Sequence, residues 1–523
     1  MSDAASNDPT RISRRGWLQS LVAVPVLGVF VFNYLKKRAA EDARKQAILS
    51  ELGVTETGPA IIPNAISKPP GSKIRVGIIG YGGEGESLVR HAGFASPKWL
   101  EDARKSVAED PRDKQLDTYL RQDDLNIALT GVCELFDVRA ERAIAASQIA
   151  ERPGGAAANP PAKRYRRYTE MLESKDVDAI IIATPDVWHS RIAIDAAAAG
   201  KHIYCEKCMT RTEDEAHAMH DAVTRSKVVF QLGHQNRQSE AHNKAREVAA
   251  AGVLGPITLV ESTTNRNTPW GAWVWDIDAK GNPQTIDWEQ FQELAPHKVA
   301  FSPERFFRWR CWFDYGTGLA GDLLSHEYDA VNQILGVGIP KSCVASGGTY
   351  YFKDGRDVPD TFQAVYEYPD RDLTFVYSAT LANGRDRGLA LMGHDASMVV
   401  GSGLTVQADG DSTRYEKKIK DGVIDPSQPL FTYRPGFKGI DAVTSATAAY
   451  FASRGLLYTY RGGRRVSAYH LLIGEWLDVI RNGGQTSCNI ERGFEEAISC
   501  HMATRSLLEG RKVTWDPVRR RIV

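Results

Sequence analysis

Two patterns of apolar and polar positions divide the chain. Between residues 73 and 233, short β-branched runs alternate with longer segments whose apolar residues recur at helical spacing. Such an alternation predicts a parallel sheet with helices packed on it. The predicted strands are 73–79, 127–133, 177–183, 202–205 and 228–232, and the predicted helices are 86–91, 190–199 and 213–225. We therefore expect a doubly wound α/β domain over residues 73–233.

The residue pattern of the second half predicts a different kind of sheet. From residue 340 onwards, aromatic and β-branched runs are separated by Gly, Asp, Asn and Pro, which favours antiparallel strands. The predicted strands are 342–352, 361–368, 373–379, 388–392 and 398–406. We expect residues 234–523 to form an α+β domain with a large, mostly antiparallel sheet.

The N-terminal segment is predicted to lie outside both domains. Arg14 and Arg15 precede an almost uncharged run from residue 17 to 35, an order that resembles a twin-arginine export signal. A helix of that length would extend about 28 Å, close to a bilayer core, so the run is also long enough for an anchor. Residues 1–40 are therefore predicted to be an export signal or a membrane anchor on the periplasmic side. A cytoplasmic-side anchor and a buried helix are the alternatives, and residues 41–72 are predicted to be a linker.

Composition excludes several classes of function. The 65 Lys and Arg residues balance 65 Asp and Glu residues, so no overall field attracts a polyanion, and nucleic-acid binding is not expected. Seven cysteines are spread along the chain, which is not a disulfide framework. Only Cys205 and Cys208 are close in sequence; such a pair can bind zinc, but without a second pair we expect structural thiols and no metal site.

A glycine-rich turn follows the first predicted strand. Gly80-Tyr81-Gly82-Gly83-Glu84-Gly85 stands between a strand and a helix, the context in which G-x-G-x-x-G binds a dinucleotide in a Rossmann domain. Gly80 would permit the tight turn, Gly82 would let the backbone approach a pyrophosphate, and Gly85 would let the helix pack on the strand. We name Gly80, Gly82, Gly83 and Gly85 as cofactor-binding residues, with a glycine turn that holds no ligand as the alternative.

The acidic residue expected to hold the adenosine ribose is displaced along the chain. A polar helical excursion occupies residues 94–126, and the strand after it ends at Glu134. A carboxylate there can bond both ribose hydroxyls and repel a 2′-phosphate, which favours NAD; nearby Arg139 leaves NADP as an alternative. A solvated strand-end acid without a ligand is the other interpretation of Glu134.

Further polar residues follow the next two predicted strands. In a parallel sheet the carboxyl ends of the strands meet at the ligand crevice. The residues placed there, all predicted to face the cofactor, are Thr184, Pro185, His189, Glu206 and Lys207.

Four ordered motifs give the chain a resemblance to the Gfo/Idh/MocA family, named for glucose-fructose oxidoreductase, inositol dehydrogenase and MocA. The motifs are Gly80-x-Gly82-x-x-Gly85, Ala183-Thr184-Pro185-Asp186-x-x-His189, Ala199-Gly200-Lys201-His202-x-x-Cys205-Glu206-Lys207 and Gly321-Asp322-x-x-x-His326. The likeness spans about residues 73–515. It implies that Lys207 lies near a nicotinamide and the substrate, and that Asp322 and His326 touch the hydroxyl being oxidised. Cys208 stands where the family usually has proline.

The chemistry of alcohol oxidation agrees with these assignments. Removing a hydroxyl proton needs a group that titrates near neutrality, so His326 is predicted to be the base. Lys207 is predicted to stabilise charge on the substrate oxygen, and Asp322 to orient His326 or bind substrate. In a predicted helix over residues 321–335, Asp322 and His326 share one face, although a solvated amphipathic helix has the same pattern.

The substrate is predicted from side-chain chemistry. Six of the eleven tryptophans lie between residues 270 and 312 among several arginines, a composition that suits sugar-like rings but also a core or an interface. Arg237 is predicted either to bind substrate or to stabilise its loop. Export of a folded protein would require a tightly bound nucleotide. The resemblance implies a homodimer or homotetramer formed through the second sheet.

These expectations leave three functions open. The first is an NAD(P)-dependent oxidoreductase that acts on a secondary hydroxyl of a sugar, cyclitol or glycoside. The second is a glycoside-cleaving enzyme that uses transient oxidation without net redox change. The third is a non-catalytic, membrane-tethered binding protein of the same fold.

Overall fold

The computed structural model describes residues 71–149, 151–436, 458–461 and 464–523, together with residues 46–55 and scattered positions between 32 and 44. Most of the predicted export segment therefore lies outside the described residues. In the part that is described, no helix combines the length and the apolar character needed to cross a bilayer.

The first half contains a six-stranded sheet in which every neighbouring pair is parallel. The strands are β1 Ile74–Ile79, β2 Ile127–Cys133, β3 Lys163–Tyr165, β4 Ala179–Ile182, β5 His202–Cys205 and β6 Phe230–Leu232. The helices are α1 Gly83–His91, α2 Pro97–Glu109, α3 Gln115–Leu120, α4 Asp137–Ser147, α5 Tyr168–Glu173, α6 Asp186–Ala198 and α7 Glu213–Arg225. The order β3-β2-β1-β4-β5-β6 is that of a doubly wound dinucleotide fold, and it confirms the predicted fold class.

Strand β4 explains why this half forms a parallel sheet. Its four residues are all apolar and buried, so both of its faces need a cover. Ile180 packs in a hydrophobic cluster with residues of α6 and α7, and Ile181 packs in a second cluster with residues of α1 and α4. Strand β3 and helix α5 were not predicted, and α6 begins at Asp186, four residues before the predicted start.

The second half contains a ten-stranded sheet in the order β14-β13-β12-β11-β7-β10-β9-β8-β17-β18. The strands of this half, with the separate β15–β16 hairpin, are β7 Ile257–Asn265, β8 Ser342–Gly348, β9 Thr361–Tyr368, β10 Leu373–Thr380, β11 Leu389–Gly393, β12 Ala396–Val400, β13 Leu404–Ala408, β14 Pro429–Tyr433, β15 Tyr458–Arg461, β16 Arg464–Ser467, β17 Val513–Asp516 and β18 Arg521–Ile522. The helices are α8 Glu240–Ala250, α9 Trp288–Phe291, α10 Pro303–Phe307, α11 Ser325–Leu335, α12 Glu416–Lys420, α13 Ala468–Asn482 and α14 Ile490–Glu509. Only the β7–β10 pair of this sheet is parallel, so the predicted antiparallel character is confirmed.

One predicted strand was wrong. Residues 398–406 do not form a single strand, because the chain turns between β12 and β13, where Gly401 donates to the carbonyl of Gly403 at 2.8 Å. The sequence Gly401-Ser402-Gly403 stands between two β-branched runs and marks this turn.

Two segments from outside residues 73–233 pack into the hydrophobic clusters that hold the first sheet. Helix α13, from the end of the chain, packs in the same hydrophobic cluster as β1 and β5, and the rings of Trp476 and Tyr204 lie 5.8 Å apart. In the predicted linker, Leu49, Leu52 and Val54 are buried in the main core. An amphipathic pattern shows that a helix has a partner without showing which one, so neither contact could be predicted.

Candidate active site

The glycine turn has the backbone that its sequence requires. Gly80 has φ of +86°, and a Cβ there would lie 2.5 Å from the carbonyl oxygen of Ala183. A Cβ at Gly85 would lie 2.2 Å from the carbonyl oxygen of Gly80, whereas Gly83 has open space within 4 Å. Two glycines therefore allow close packing, and the middle of the turn is left open to a ligand.

A cleft of about 660 Å³ lies against this turn. It is lined by Gly80, Gly82, Cys133, Glu134, Arg139, Thr184, Pro185, Trp188, Phe291, Phe306 and Trp309, among others. The structure thus brings together the predicted Gly80, Gly82, Glu134, Thr184 and Pro185 beside aromatic residues from the second half.

Glu134 and Arg139 form the end of the cleft where an adenosine ribose was expected. The Glu134 carboxylate accepts backbone N–H groups of Tyr81 at 2.5 Å and Phe136 at 2.9 Å, which ties β2 to the glycine turn. Each oxygen keeps a lone pair for a ribose hydroxyl. The Arg139 guanidinium lies 5.0 Å from the ring centre of Phe307, and burial lowers its pKa. Among the described residues it has no hydrogen-bond or ion-pair partner.

His189 links the chain that follows β4 to the loop that follows β5. Its Nδ1 lies 2.8 Å from the carbonyl oxygen of Cys208, and its Nε2 lies 2.9 Å from that of Thr184. The imidazole is buried and is absent from the lining of the cleft, so its contacts hold the Lys207 loop in place. The peptide bond between Lys207 and Cys208 is cis. Cys208 is the position at which the family named above usually has proline.

Lys207 and Asp322 meet between the two halves of the chain. The Lys207 Nζ donates to Asp322 Oδ1 at 2.9 Å and to the Asp322 carbonyl oxygen at 2.7 Å. Arg310 Nε also donates to Oδ1, at 2.9 Å, and Trp273 Nε1 donates to Oδ2 at 3.0 Å. Burial alone would raise the pKa of Asp322, but Lys207 and Arg310 hold it well below its usual range. Burial opposes the charge on Lys207 as well, yet Asp322 keeps its pKa raised.

His326 lies beside this ion pair as a neutral imidazole. Burial, with the charge of Lys207, lowers the pKa of His326 well below 6.5. Its Nδ1 is buried without a hydrogen-bond partner in the described structure. The ring of His234 lies edge-on at 5.4 Å, and burial lowers the pKa of His234 to about 4. A neutral imidazole is the form that accepts a proton.

The predicted regular helix over residues 321–335 was wrong at its start. Residues Ala320–Leu324 form one turn of π-helix, and the α-helix begins only at Ser325. No hydrogen bond joins Asp322 to His326 in the described structure, since the Asp322 carboxylate faces Lys207, Arg310 and Trp273. The suggestion that Asp322 orients His326 is therefore not supported. Single turns of π-helix next to an α-helix are frequent at functional sites.

Two carboxyl groups, those of Glu84 and Glu206, lie close enough to Lys207 to interact with its charge. Burial, with the charge of Glu84, raises the pKa of Glu206 well above its usual value. Burial also raises the pKa of Glu84, although Lys207 and Arg310 oppose that shift. Glu206 Oε2 accepts the backbone N–H of Lys207 at 3.3 Å. Both groups are thus biased toward the protonated form.

Arg237 is held away from the cleft. Its guanidinium donates to Asp329, with Nε to Oδ1 at 2.9 Å and Nη2 to Oδ1 at 2.5 Å, and to the carbonyl oxygen of Ser487 at 2.6 Å. This buried ion pair favours the loop-stabilising alternative over substrate binding.

Sequence reasoning missed several residues of the site. Trp273 and Arg310 belong to the cluster that was interpreted as sugar-binding, but both hold Asp322. Glu84 occupies a variable position of the glycine motif, so the motif gives it no role. His234 follows β6, and the strand-end argument places it within reach of the crevice but gives it no role.

The fold and this geometry define a class: a two-domain dinucleotide-binding protein with a lysine, an aspartate and a histidine at the domain junction. The model described as "Oxidoreductase family, NAD-binding Rossmann fold" matches residues 74–234, and "Oxidoreductase family, C-terminal alpha/beta domain" matches residues 288–515. The chain belongs to this Gfo/Idh/MocA oxidoreductase family. The resemblance in the four motifs is thereby confirmed.

Named relatives match part of the chain. Levoglucosan dehydrogenase of Pseudarthrobacter phenanthrenivorans is 28% identical over 238 residues, which are 42% of this chain and 53% of that protein. The scyllo-inositol 2-dehydrogenase (NAD(+)) of Bacillus subtilis is 25% identical over 245 residues, 45% of this chain and 58% of the relative. The chain thus spans about half the length of the curated relatives it matches.

Solved structures share the fold. A levoglucosan dehydrogenase in complex with NADH and levoglucosan superposes with a TM-score of 0.54 and 18% identity, covering 85% of this chain and 99% of that one. At this identity the likeness is one of fold.

Proposed function

We propose that the protein is an NAD-dependent dehydrogenase that oxidises a secondary hydroxyl of a sugar, cyclitol or glycoside. The observation that carries this proposal is the Lys207–Asp322 ion pair beside the neutral imidazole of His326. The names of the relatives, a levoglucosan dehydrogenase and a scyllo-inositol dehydrogenase, support the substrate class.

The protein residues can perform the proton chemistry of this reaction. A bound nicotinamide dinucleotide would supply the acceptor for the hydride. His326 takes the hydroxyl proton on its neutral imidazole. Lys207 has three N–H donors, of which two are used by Asp322. Its third N–H remains for the substrate oxygen, where it stabilises the developing negative charge.

The cofactor is proposed to be NAD, held tightly. The Glu134 carboxylate lines the cleft at the ribose end, which supports NAD, while the unpaired Arg139 keeps NADP as the competing outcome. Backbone bonds from Asp137 to Thr285 at 2.9 Å and from Asp287 to Leu135 at 3.0 Å pair the second half with the chain just after Glu134. This pairing closes one end of the cleft and supports slow release.

Nucleotide analysis tests both statements. The purified protein is denatured and the released nucleotide is identified, and Kd values for NAD and NADP are then measured on emptied protein. We expect NAD, and we expect Glu134→Ala to weaken NAD more than NADP. A wild-type protein that releases only NADP would overturn the choice of cofactor.

Activity is tested by following reduced nicotinamide with a panel of sugars, cyclitols and glycosides. Lys207→Met should abolish oxidation of every substrate found, because it removes the ammonium N–H proposed to stabilise the charge on the substrate oxygen. Lys105→Met, at an exposed helical position, is the matched control and should keep full activity. Equal activity of wild type and Lys207→Met contradicts the assignment.

A second candidate is cleavage of a glycoside through transient oxidation without net redox change. It is favoured by Glu84 and Glu206, whose raised pKa values provide a proton donor close to Lys207. Substrate cleavage without accumulation of reduced nicotinamide, lost in Glu84→Gln, would identify this reaction.

Export by a twin-arginine route to the periplasm, with or without retention of the leader as an anchor, remains our proposal for residues 1–40. Cell fractionation of wild type and of an Arg14→Lys, Arg15→Lys variant tests it. A homodimer or homotetramer is proposed for the assembly, and light scattering measures the mass.

A further inference from the structure

Cys208 lies next to two other side chains that can bind a metal ion. One ligand atom each from Cys208, Glu496 and Cys500 lies within 4.8 Å of the other two. All three residues are buried. Cys205, which is close to Cys208 in the sequence, is not part of this group. The two cysteines that are close in the sequence therefore do not form the cluster, and Cys208 lies instead beside Glu496 and Cys500.

The positions of the three side chains follow from the fold. Glu496 and Cys500 are four residues apart on α14 and so lie on one helical face. Cys208 comes from the loop after β5. A Cβ at Gly321 would lie 2.9 Å from the Cys208 Cβ, so the glycine before Asp322 allows this close approach. The cluster thus lies behind the loop that carries Lys207.

The hydrogen bonds of Glu496 are incomplete. Its Oε1 accepts from Cys500 Sγ at 3.4 Å, but its Oε2 is buried and has no hydrogen-bond partner among the described residues. The residue is 0% exposed. A buried carboxyl oxygen without a partner is unfavourable, and contact with a cation would satisfy it.

The distances suit a tetrahedral site. With Zn–S of about 2.3 Å and Zn–O of about 2.0 Å, a tetrahedron has sulfur–oxygen edges of about 3.5 Å. The Cys500 Sγ to Glu496 Oε1 distance is 3.4 Å, and the Cys208 Sγ to Thr210 carbonyl oxygen distance is 3.5 Å. This contact with one of the two thiols makes the Thr210 carbonyl oxygen our candidate for the fourth ligand.

We propose that Cys208, Cys500 and Glu496, with the carbonyl oxygen of Thr210, bind one thiophilic divalent cation of the Zn²⁺ type, which fixes the Lys207 loop from behind. On binding, each thiol and the carboxyl group release a proton to solvent, and no electrons are transferred. Three anionic ligands and the cation leave one negative charge, which faces the ammonium of Lys207. Cys208 provides a ligand at a position where proline, common in the family, could not.

Metal analysis tests the site independently of catalysis. Tag-free, full-length protein is loaded with Zn²⁺, desalted and analysed by mass spectrometry for metal content. We expect one zinc per chain in wild type and in Cys343→Ser, a buried cysteine of β8 that serves as the control. In Cys208→Ser and Cys500→Ser, zinc affinity should fall by about 100-fold or more. Removing zinc should lower the Tm of wild type and leave that of Cys500→Ser unchanged.

Two other results would overturn the proposal. Zinc content far below one equivalent in wild type would mean that the groups are a protonated, hydrogen-bonded cluster. Titration of five thiols instead of all seven in denaturant would indicate a disulfide in place of a metal site. If the serine variants do not fold, Co²⁺ bound to wild type must show thiolate-to-cobalt absorption, and its absence counts against the site.

Discussion

Replacing Asp322 with asparagine tests the central ion pair. The substitution keeps the size of the side chain but removes the charge that faces Lys207 at 2.9 Å and Arg310 at 2.9 Å. The asparagine side chain has a single acceptor oxygen. That oxygen can accept either from Lys207 and Arg310 or from Trp273 Nε1, so one of these two sets of donors loses its partner. Removing one member of a buried ion pair costs about 3–5 kcal/mol, and losing an electrostatic contact in the transition state lowers kcat by about 10²–10³-fold.

The pH dependence of the variant gives a sharper readout than its rate. Asp322 keeps the pKa of Lys207 raised against burial. Because the ammonium form is required, activity is present below that pKa and is lost as the pH rises through it. In Asp322→Asn the pKa of Lys207 falls, so the alkaline limb of kcat/KM must move to lower pH.

The assay is kcat/KM against pH with the substrate found in the panel, combined with urea unfolding. Asp314→Asn is the matched control, because Asp314 pairs with Arg305 at 2.8 Å and makes no contact with Lys207. The reasoning is refuted if Asp322→Asn keeps wild-type kcat/KM and an unmoved alkaline limb.

Three further predictions concern other parts of the site. His326→Asn should reduce kcat by about 10²–10⁴-fold while nucleotide Kd stays unchanged, and stopped-flow kinetics would show whether the loss is in the chemical step. Gly85→Ala should destabilise the fold by about 2–3 kcal/mol through collision of its Cβ with backbone, whereas Gly83→Ala should be neutral; urea midpoints compare them. Arg237→Met should lower stability by about 3–5 kcal/mol by leaving Asp329 unpaired; an unchanged urea midpoint would mean that this ion pair is not structural.

How well each element could be predicted from the sequence depends on how far apart in the chain the residues that determine it are. The Rossmann strands could be located because they are short apolar runs, and the bounds of β5 and α7 were predicted without error. The glycine turn could be assigned because its backbone needs are local, as the positive φ of Gly80 illustrates. The hairpin at Gly401 was missed although the Gly401-Ser402-Gly403 sequence is a local turn signal. The turn of π-helix before Ser325 was missed because helical periodicity does not distinguish it from an α-helix.

The sequence by itself determined the class of fold, the family, and that Lys207, Asp322 and His326 belong to one site. Periodicity and motif spacing depend on residues that are close together in the sequence, so they can be recognised without a structure. Only the tertiary structure decided the roles within the site. It surrounded Asp322 with Lys207, Arg310 and Trp273, turned Arg237 toward Asp329, and placed Cys208 beside α14. Which side chains meet, and whether they meet in water or in the interior, depends on residues that are distant in the sequence, such as Lys207 and Asp322, which are 115 positions apart. Burial then shifts their pKa values.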